Sequence, residues 1–312
     1  MPSQYECIQV TDYCTVQDSI YGYYPTLPGS AFFLALFAIC LVAQIIEGVR
    51  WKTWTFMIGL SIGCFVEMLG YVGRIKLHFN PYHNTGFMIQ ICCLIMGPAW
   101  LTAGIYLTLK HLVKAFGREY SYLRPKYYTW IFIGCDVFSL TLQAAGGGLA
   151  SGASGNSSQL TLGNNFAISG IIFQVVTLIV FAGLASLYFV RRHLHPDASK
   201  AVEPQLQTTK FRLFCAAIVV AFFAILTRCI YRIAEMSGGW GNPLMQNQRE
   251  FIALDSSMCA IAVVALTVFH PGYCFPQMAV PIGVRRPTAP TELEQKPSHA
   301  SSHVDVEAGV KA

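Results

Sequence analysis

The sequence predicts an all-α membrane protein, a seven-transmembrane-helix bundle with its N-terminus outside and its C-terminus cytoplasmic. Three observations predict it. Apolar residues make up 54% of the 312-residue chain and charged ones only 12%, with a mean hydropathy of +0.47. Soluble domains carry roughly 25% charge, and the 21 basic and 16 acidic side chains here could not cover a soluble surface of this size. Seven stretches reach the roughly 20 apolar residues that a spanning helix needs. Lys and Arg fall almost entirely on alternate loops. The same numbers exclude a disordered chain, a coiled coil, a collagen and a basic-patch nucleic-acid binder.

Residues 1–27 precede the first span and form an extracellular segment. They lack the basic start and apolar core of a cleavable signal peptide, so the first span itself is expected to direct insertion. The predicted spans are 28–46, 54–73, 87–109, 128–149, 166–190, 211–235 and 251–269, within a membrane domain of 28–270. Residues 271–312 form a cytoplasmic tail. Its stretch from Pro281 is rich in Pro, Ser, Thr, Glu and His and reads as disordered. The tail carries no prenylation box or ER-retrieval tetrapeptide. Seven spans do not divide into two equal halves, so a simple inverted-repeat transporter is not indicated.

Sixteen of the 21 Lys and Arg lie on one set of loops and three on the other, while Arg228 and Arg232 lie inside the sixth span. That asymmetry sets the orientation. The one Asn-X-Ser/Thr sequon, at Asn156, falls in an uncharged loop assigned outside, where glycosylation is possible. Cys7 and Cys14 are the only two of 11 cysteines placed outside, so they alone could form a stable disulfide. The other nine read as small apolar side chains.

Ionisable groups inside spans are costly, by roughly 2.5–3.5 kcal/mol each on insertion scales, and persist where they pair, face a cavity or do chemistry. Span two carries Glu67, Tyr71 and Arg74 at i, i+4 and i+7, one helix face. Span four carries Asp136, Ser139 and Gln143. Span six carries Arg228, Arg232 and Glu235. Span seven opens with Glu250 and holds Asp255, and Gln90 and Gln174 lie in spans three and five. Two readings stay open. Glu67, Asp136, Glu235 and Asp255 could pair with Arg228 and Arg232, with Arg74 nearby, to fix helix packing. Alternatively they line a polar cavity for the charged head of an amphiphile, and an Arg paired to an acid can exchange partners with a ligand. Pro98 in span three is expected to kink the helix as a hinge. Gly59-x-x-x-Gly63 and the run Gly146–Gly148 read as close helix packing.

Several seven-helix chemistries are excluded or weakened. No Lys lies between Lys210 and Lys296, so a retinal Schiff base has no anchor in span seven. No two histidines stand at ligand spacing within one span, which argues against a membrane metallohydrolase. Only His270 with Asp136 or Asp255 keeps an enzyme in play, and no enzymatic activity, cofactor or metal is expected. No P-loop is present. A seven-helix receptor fits the topology, but span three ends in Leu109-Lys110-His111 instead of an Asp-Arg-Tyr-type triplet.

A series of motifs runs through residues 24–272. It begins with Tyr24-Pro25, Glu67-x-x-Gly70-Tyr71-x-x-Arg74, and Pro98 with Ala103 and Tyr106. It continues through Asp136 with Gln143-Ala144-Ala145-Gly146-Gly147-Gly148, Gly170 with Gln174, and Arg228-x-x-Tyr231-Arg232-x-x-Glu235. Glu250, Asp255, Met258 and His270-Pro271-Gly272 complete it. In this order the motifs resemble those of the fungal RTA-like proteins, the lipid-translocating exporter family. Ser30 and Ala253 or Leu254 depart from the family pattern. The resemblance implies a multi-pass protein of the plasma membrane or endomembranes that releases sphingoid long-chain bases or other toxic amphiphiles, with links to drug resistance, porphyrin handling and stress response. Its partners would be an amphipathic lipid or xenobiotic and the bilayer. For an ammonium head group, Glu67, Asp136 and Asp255 are the expected acids. A lipid or stress sensor, or a regulator of another flippase, is the alternative.

Overall fold

The computed structural model describes residues 7–116, 125–152, 157–194, 209–239 and 241–274. Asn156 and everything beyond 274, the expected glycosylation site and disordered tail, lie outside them. Seven helical segments among the described residues are long and apolar enough to cross a membrane. These are α1 (Leu27–Trp51), α2 (Trp54–Phe79), α3 (Asn84–Phe116), α4 (Pro125–Ser151), α5 (Ser157–Leu194), α6 (Thr209–Ser237) and a composite seventh span. The last comprises α7 (Gln248–Glu250), a π-helical stretch (Phe251–Ser256), α8 (Ser257–Val268) and α9 (Pro271–Cys274).

Local chemistry explains the ends. Pro28 stands in the first turn of α1, where its missing N–H is no loss. At the other end Lys52 adopts a left-handed conformation (φ 56°) and its N–H returns to Gly48 O, so α2 starts after two residues. Helix α5 begins nine residues before its predicted apolar stretch, because Ser157–Asn165 is polar but still helical. The seventh span departs from a plain α-helix. The Ser257 N–H and hydroxyl both donate to Ile252 O, opening one wide turn in which Asp255 and Ser256, adjacent in sequence, are both buried. Such π-bulges insert one residue and re-aim the side chains around it.

Consecutive helices pack on one another, α8 packs back on α1, and α3 also reaches α6 and α8. Glycines set the closest approaches. On α2, Gly59 faces the Trp100 carbonyl, Gly63 faces Leu101 and Gly70 faces Leu94 of α3. Between α4 and α5, a Cβ at Gly146 would strike the backbone of Gly163 and Ala167, and one at Gly163 that of Ala150. Small residues are what let membrane helices meet backbone to backbone. A Cβ at Gly147 or Gly148 would find open space, so within the glycine run it is Gly146 that the neighbouring helix requires to be glycine.

The bundle is apolar outside and charged inside. Ile39, Val137 and Phe223 are more than half exposed, whereas Glu67 and Arg228 are at most 1% exposed. That inversion suits a chain whose solvent is hydrocarbon. One end is capped by residues 7–26, where Cys7 and Cys14 form a disulfide and a short 3-10 turn follows at Val16–Asp18. The segment is tied down by Gln90 Nε2 donating to the Tyr21 hydroxyl (3.0 Å), by Asn80 Nδ2 donating to Ile8 O (2.9 Å) and by a bond between His78 and Pro25 O (2.7 Å). Burial pushes the Tyr21 phenol far above its ordinary pKa, so it stays neutral there. The opposite end carries Arg50, Lys52, Lys110, Arg191, Arg192, Lys210 and Arg212.

Candidate functional site

Arg228 of α6 is the centre of the buried polar core. Its Nη1 meets Glu67 Oε1 of α2 at 2.9 Å, its Nε meets Asp255 Oδ1 of the π turn at 2.9 Å, and its Nη2 donates to Leu94 O of α3 at 2.6 Å. One turn on, Arg232 reaches the same Asp255 oxygen with Nε (2.8 Å) and Glu235 Oε2 with Nη1 (2.6 Å). Five charges from α2, α6 and the seventh span thus form one chain: Glu67, Arg228, Asp255, Arg232, Glu235. Three acids face two guanidiniums. All five are at least 95% buried.

The backbone partner follows from a proline. In an α-helix the N–H of residue 98 would bond the carbonyl of residue 94. Pro98 has no N–H, so Leu94 O is left for Arg228. Helix α3 runs unbroken through Pro98 from Asn84 to Phe116. At the expected hinge one helix carbonyl is redirected to a side chain. Next to it Gly97 makes room for Glu67, since a Cβ there would overlap the Glu67 carboxyl. Cys259 donates from Sγ to Glu67 Oε1 at 3.2 Å.

The remaining expected residues are distributed differently. Asp136 makes no ion pair among the described residues. It is 3% exposed and accepts from Thr102 Oγ1 at 2.9 Å, because α4 packs chiefly on α3 and α5. Its expected membership of the charge cluster is corrected accordingly. Arg74 likewise has no carboxylate within 4 Å among the described residues. Its guanidinium lies 3.9 Å from the Phe251 ring centroid and donates to the Tyr23 hydroxyl at 3.0 Å. This is a cation over an aromatic face, assembled from the N-terminal cap and the seventh span. Glu250 is also apart: it is half-buried and accepts from Asn247 Nδ2 at 2.7 Å at the start of α7. Tyr71 stacks on Phe33 and Phe37 at 5.4 and 5.7 Å and so fastens α2 to α1. Gln143 Nε2 donates to Gln174 Oε1 at 3.3 Å, joining α4 to α5. His270 accepts from the Gly272 N–H and lies 3.4 Å from Thr53 Oγ1, at the basic end of the seventh span.

The partners missed from sequence were Leu94 O, Cys259, Thr102, Tyr21, Tyr23 and Phe251. Only the first had a signal, the proline four residues later.

Among the described residues, cavities lie along α3 and α5. At the capped end, about 200 Å³ opens between Ser19, Tyr82, Phe87 and Leu160. At mid-height a cavity of about 10 Å³ is lined by Pro98, Gln143, Gln174, Arg228 and Arg232. Towards the basic end, about 260 Å³ of apolar space lies between Leu109, Phe181, Ala185, Ile218 and Phe222. Tyr106, Phe132, Phe181 and Phe222 form an aromatic cluster with ring centroids 4.6–6.2 Å apart, and Phe181 and Phe222 line the apolar space.

A bundle of seven apolar helices around a buried ionic chain, with polar space at mid-height and apolar space beyond, defines a multi-pass membrane protein built around an amphiphilic interior. The chain belongs to the RTA1-like family, whose model, described as RTA1 like protein, matches residues 60–278. It is 32% identical over 287 residues to the sphingoid long-chain base transporter RSB1 of Saccharomyces cerevisiae, covering 83% of this chain and 75% of that one. It is 27% identical over 207 residues to protoporphyrin uptake protein 1 of the same species, covering 66% of this chain and 65% of the relative. To protein RTM1 of that yeast the identity is 24% over 226 residues, covering 70% and 68%. No solved structure matches the chain.

Proposed function

We propose that the protein translocates a single-chain amphipathic lipid, of the sphingoid long-chain base class, or a toxic amphiphile of similar shape, and so contributes to lipid or drug tolerance. The observation that carries this reading is the buried chain Glu67–Arg228–Asp255–Arg232–Glu235, which has one carboxylate more than it has guanidiniums. A cationic head group supplies the missing charge. Glu67 is the acid best placed to receive it, because its Oε2 is buried without a partner while Oε1 holds Arg228. Asp255 is already shared by two arginines, and Asp136 offers a second, separate acid. The apolar chamber between α3, α5 and α6 supports the same reading, since it suits an alkyl chain. Similarity to a sphingoid long-chain base transporter over most of both chains supports the substrate class.

The proposed orientation places the disulfide-bearing cap outside and the basic end in the cytoplasm, in the plasma membrane or an endomembrane. The protein needs no enzymatic step, cofactor or metal for this role. Purified protein in proteoliposomes tests the reading. Transbilayer flux of phytosphingosine above protein-free vesicles is expected, and should fall with Glu67→Gln at equal protein content. Absence of flux with intact protein would overturn transport by this chain alone and favour the sensor or flippase-regulator reading.

A further inference from the structure

The mid-height cavity has a lining more specific than its size suggests. It lies between α3, α4, α5 and α6, and its volume of about 10 Å³ is the room that one water molecule needs. Three polar atoms of its lining residues have no hydrogen-bond partner among the described residues: Gln143 Oε1, Gln174 Nε2 and Arg232 Nη2. These side chains are only 6, 3 and 5% exposed. Buried polar groups are nearly always hydrogen-bonded, so three on the residues lining one small space point to something that belongs there.

Their chemistry selects the occupant. The Gln143–Gln174 bond spends one donor of the first amide and one acceptor of the second. Turning both amides over exchanges the positions but still leaves one free acceptor and one free donor. With Arg232 added, the lining offers two donors and one acceptor. A hydroxyl accepts two hydrogen bonds and donates one; a water can make the same three and keeps one further O–H. An ammonium would sit against Arg228 and Arg232 with only one acceptor. A carboxylate or phosphate would turn an oxygen towards Gln143 Oε1.

We propose that this cavity is a hydroxyl-recognition subsite, in which a head-group hydroxyl of the lipid displaces a bound water. The inference rests on the transport reading and sharpens it. Glu67 takes the charge, while Gln143, Gln174 and Arg232 separate hydroxylated amphiphiles from hydroxyl-free amines of equal chain length. Sites built to hydrogen-bond a hydroxyl discriminate strongly against analogues lacking it, because their own groups are then left unpaired.

The test compares phytosphingosine, which has three hydroxyls, with octadecylamine, which has none. Both carry one amine and an 18-carbon chain. Wild-type proteoliposomes should move phytosphingosine at least about tenfold faster. In the Gln143→Leu, Gln174→Leu double variant that preference should vanish, with octadecylamine flux within about twofold of wild type. Equal rates in wild type, or a variant that slows both amines alike, would show a structural water only and overturn the subsite. If neither amine moves in wild type the transport reading fails, and thermal stabilisation of the purified protein then decides the subsite. Stabilisation by phytosphingosine but not octadecylamine, lost in the double variant, supports it. Equal stabilisation by both, or none by either, overturns it.

Discussion

Arg228 Nη2 donates to the carbonyl oxygen of Leu94, 2.6 Å away, the one carbonyl in α3 that Pro98 cannot serve. A helix defect on one span and a buried cation on another thus satisfy each other. Alone, each is a liability in hydrocarbon: an unpaired carbonyl costs several kcal/mol in the bilayer, and a buried charge costs more.

This pairing predicts a coupling. Arg228→Met leaves Glu67 and Asp255 short of a cation and Leu94 O unpaired. Breaking a buried pair typically costs about 3–5 kcal/mol. Pro98→Ala gives Leu94 O its helical donor back. The Arg228→Met penalty should therefore be smaller, by about 1 kcal/mol, in the Pro98→Ala background. A double-mutant cycle on melting in detergent measures it, and strictly additive effects would refute the shared carbonyl.

The glycines of α4 give a contrast between neighbours. Gly146→Ala places a methyl against the backbone of Gly163 and Ala167, which cannot yield without separating α4 from α5. Overpacking of that kind costs about 1–3 kcal/mol. Gly147→Ala meets nothing and should be neutral or stabilising by up to about 1 kcal/mol through helix propensity. Melting temperatures of the two variants should move in opposite directions, or the second should not move.

The two membrane aspartates should also separate. Asp255→Asn removes the charge shared by Arg228 and Arg232, and should lower both stability and resistance to exogenous phytosphingosine at equal surface expression. Asp136→Asn retains an acceptor for Thr102 Oγ1 and breaks no ion pair, so its stability should stay within about 0.5 kcal/mol of wild type. An Asp136→Asn protein as unstable as Asp255→Asn would contradict the separation of Asp136 from the ionic chain.

The disulfide reports orientation. An impermeant maleimide applied to intact cells should label nothing in residues 7–26 until a reductant is added, and then label two thiols, Cys7 and Cys14. Labelling that requires permeabilised cells would place the cap inside. Loss of the bridge, as in Cys7→Ser, should cost at most about 2–3 kcal/mol, the closure entropy of so short a loop.

How far the sequence reached differs between fold and site. Seven spans were legible because hydropathy over 20 residues is a one-dimensional property. The face shared by Glu67, Tyr71 and Arg74 was legible because helix periodicity is fixed. Pairing across helices was not, since it depends on which helix stands beside which. Asp136 and Asp255 look alike as single acids in apolar spans. Only the neighbours of α4 and of the seventh span distinguish them.

By itself, then, the sequence determined that the chain spans a bilayer seven times, which residues are misplaced charges, and where Pro98 and the glycines fall along each span. Length, hydropathy and the 3.6-residue repeat suffice for that. The tertiary structure alone decided that Arg228 joins three helices, that Arg74 rests on Phe251 beneath the N-terminal cap, and that Gln143, Gln174 and Arg232 surround one small cavity. Those are contacts between residues 27 to 177 positions apart, from Arg228–Asp255 to Arg74–Phe251. They exist because hydrocarbon solvent drives every polar group to find its partner inside the bundle, wherever in the chain that partner lies.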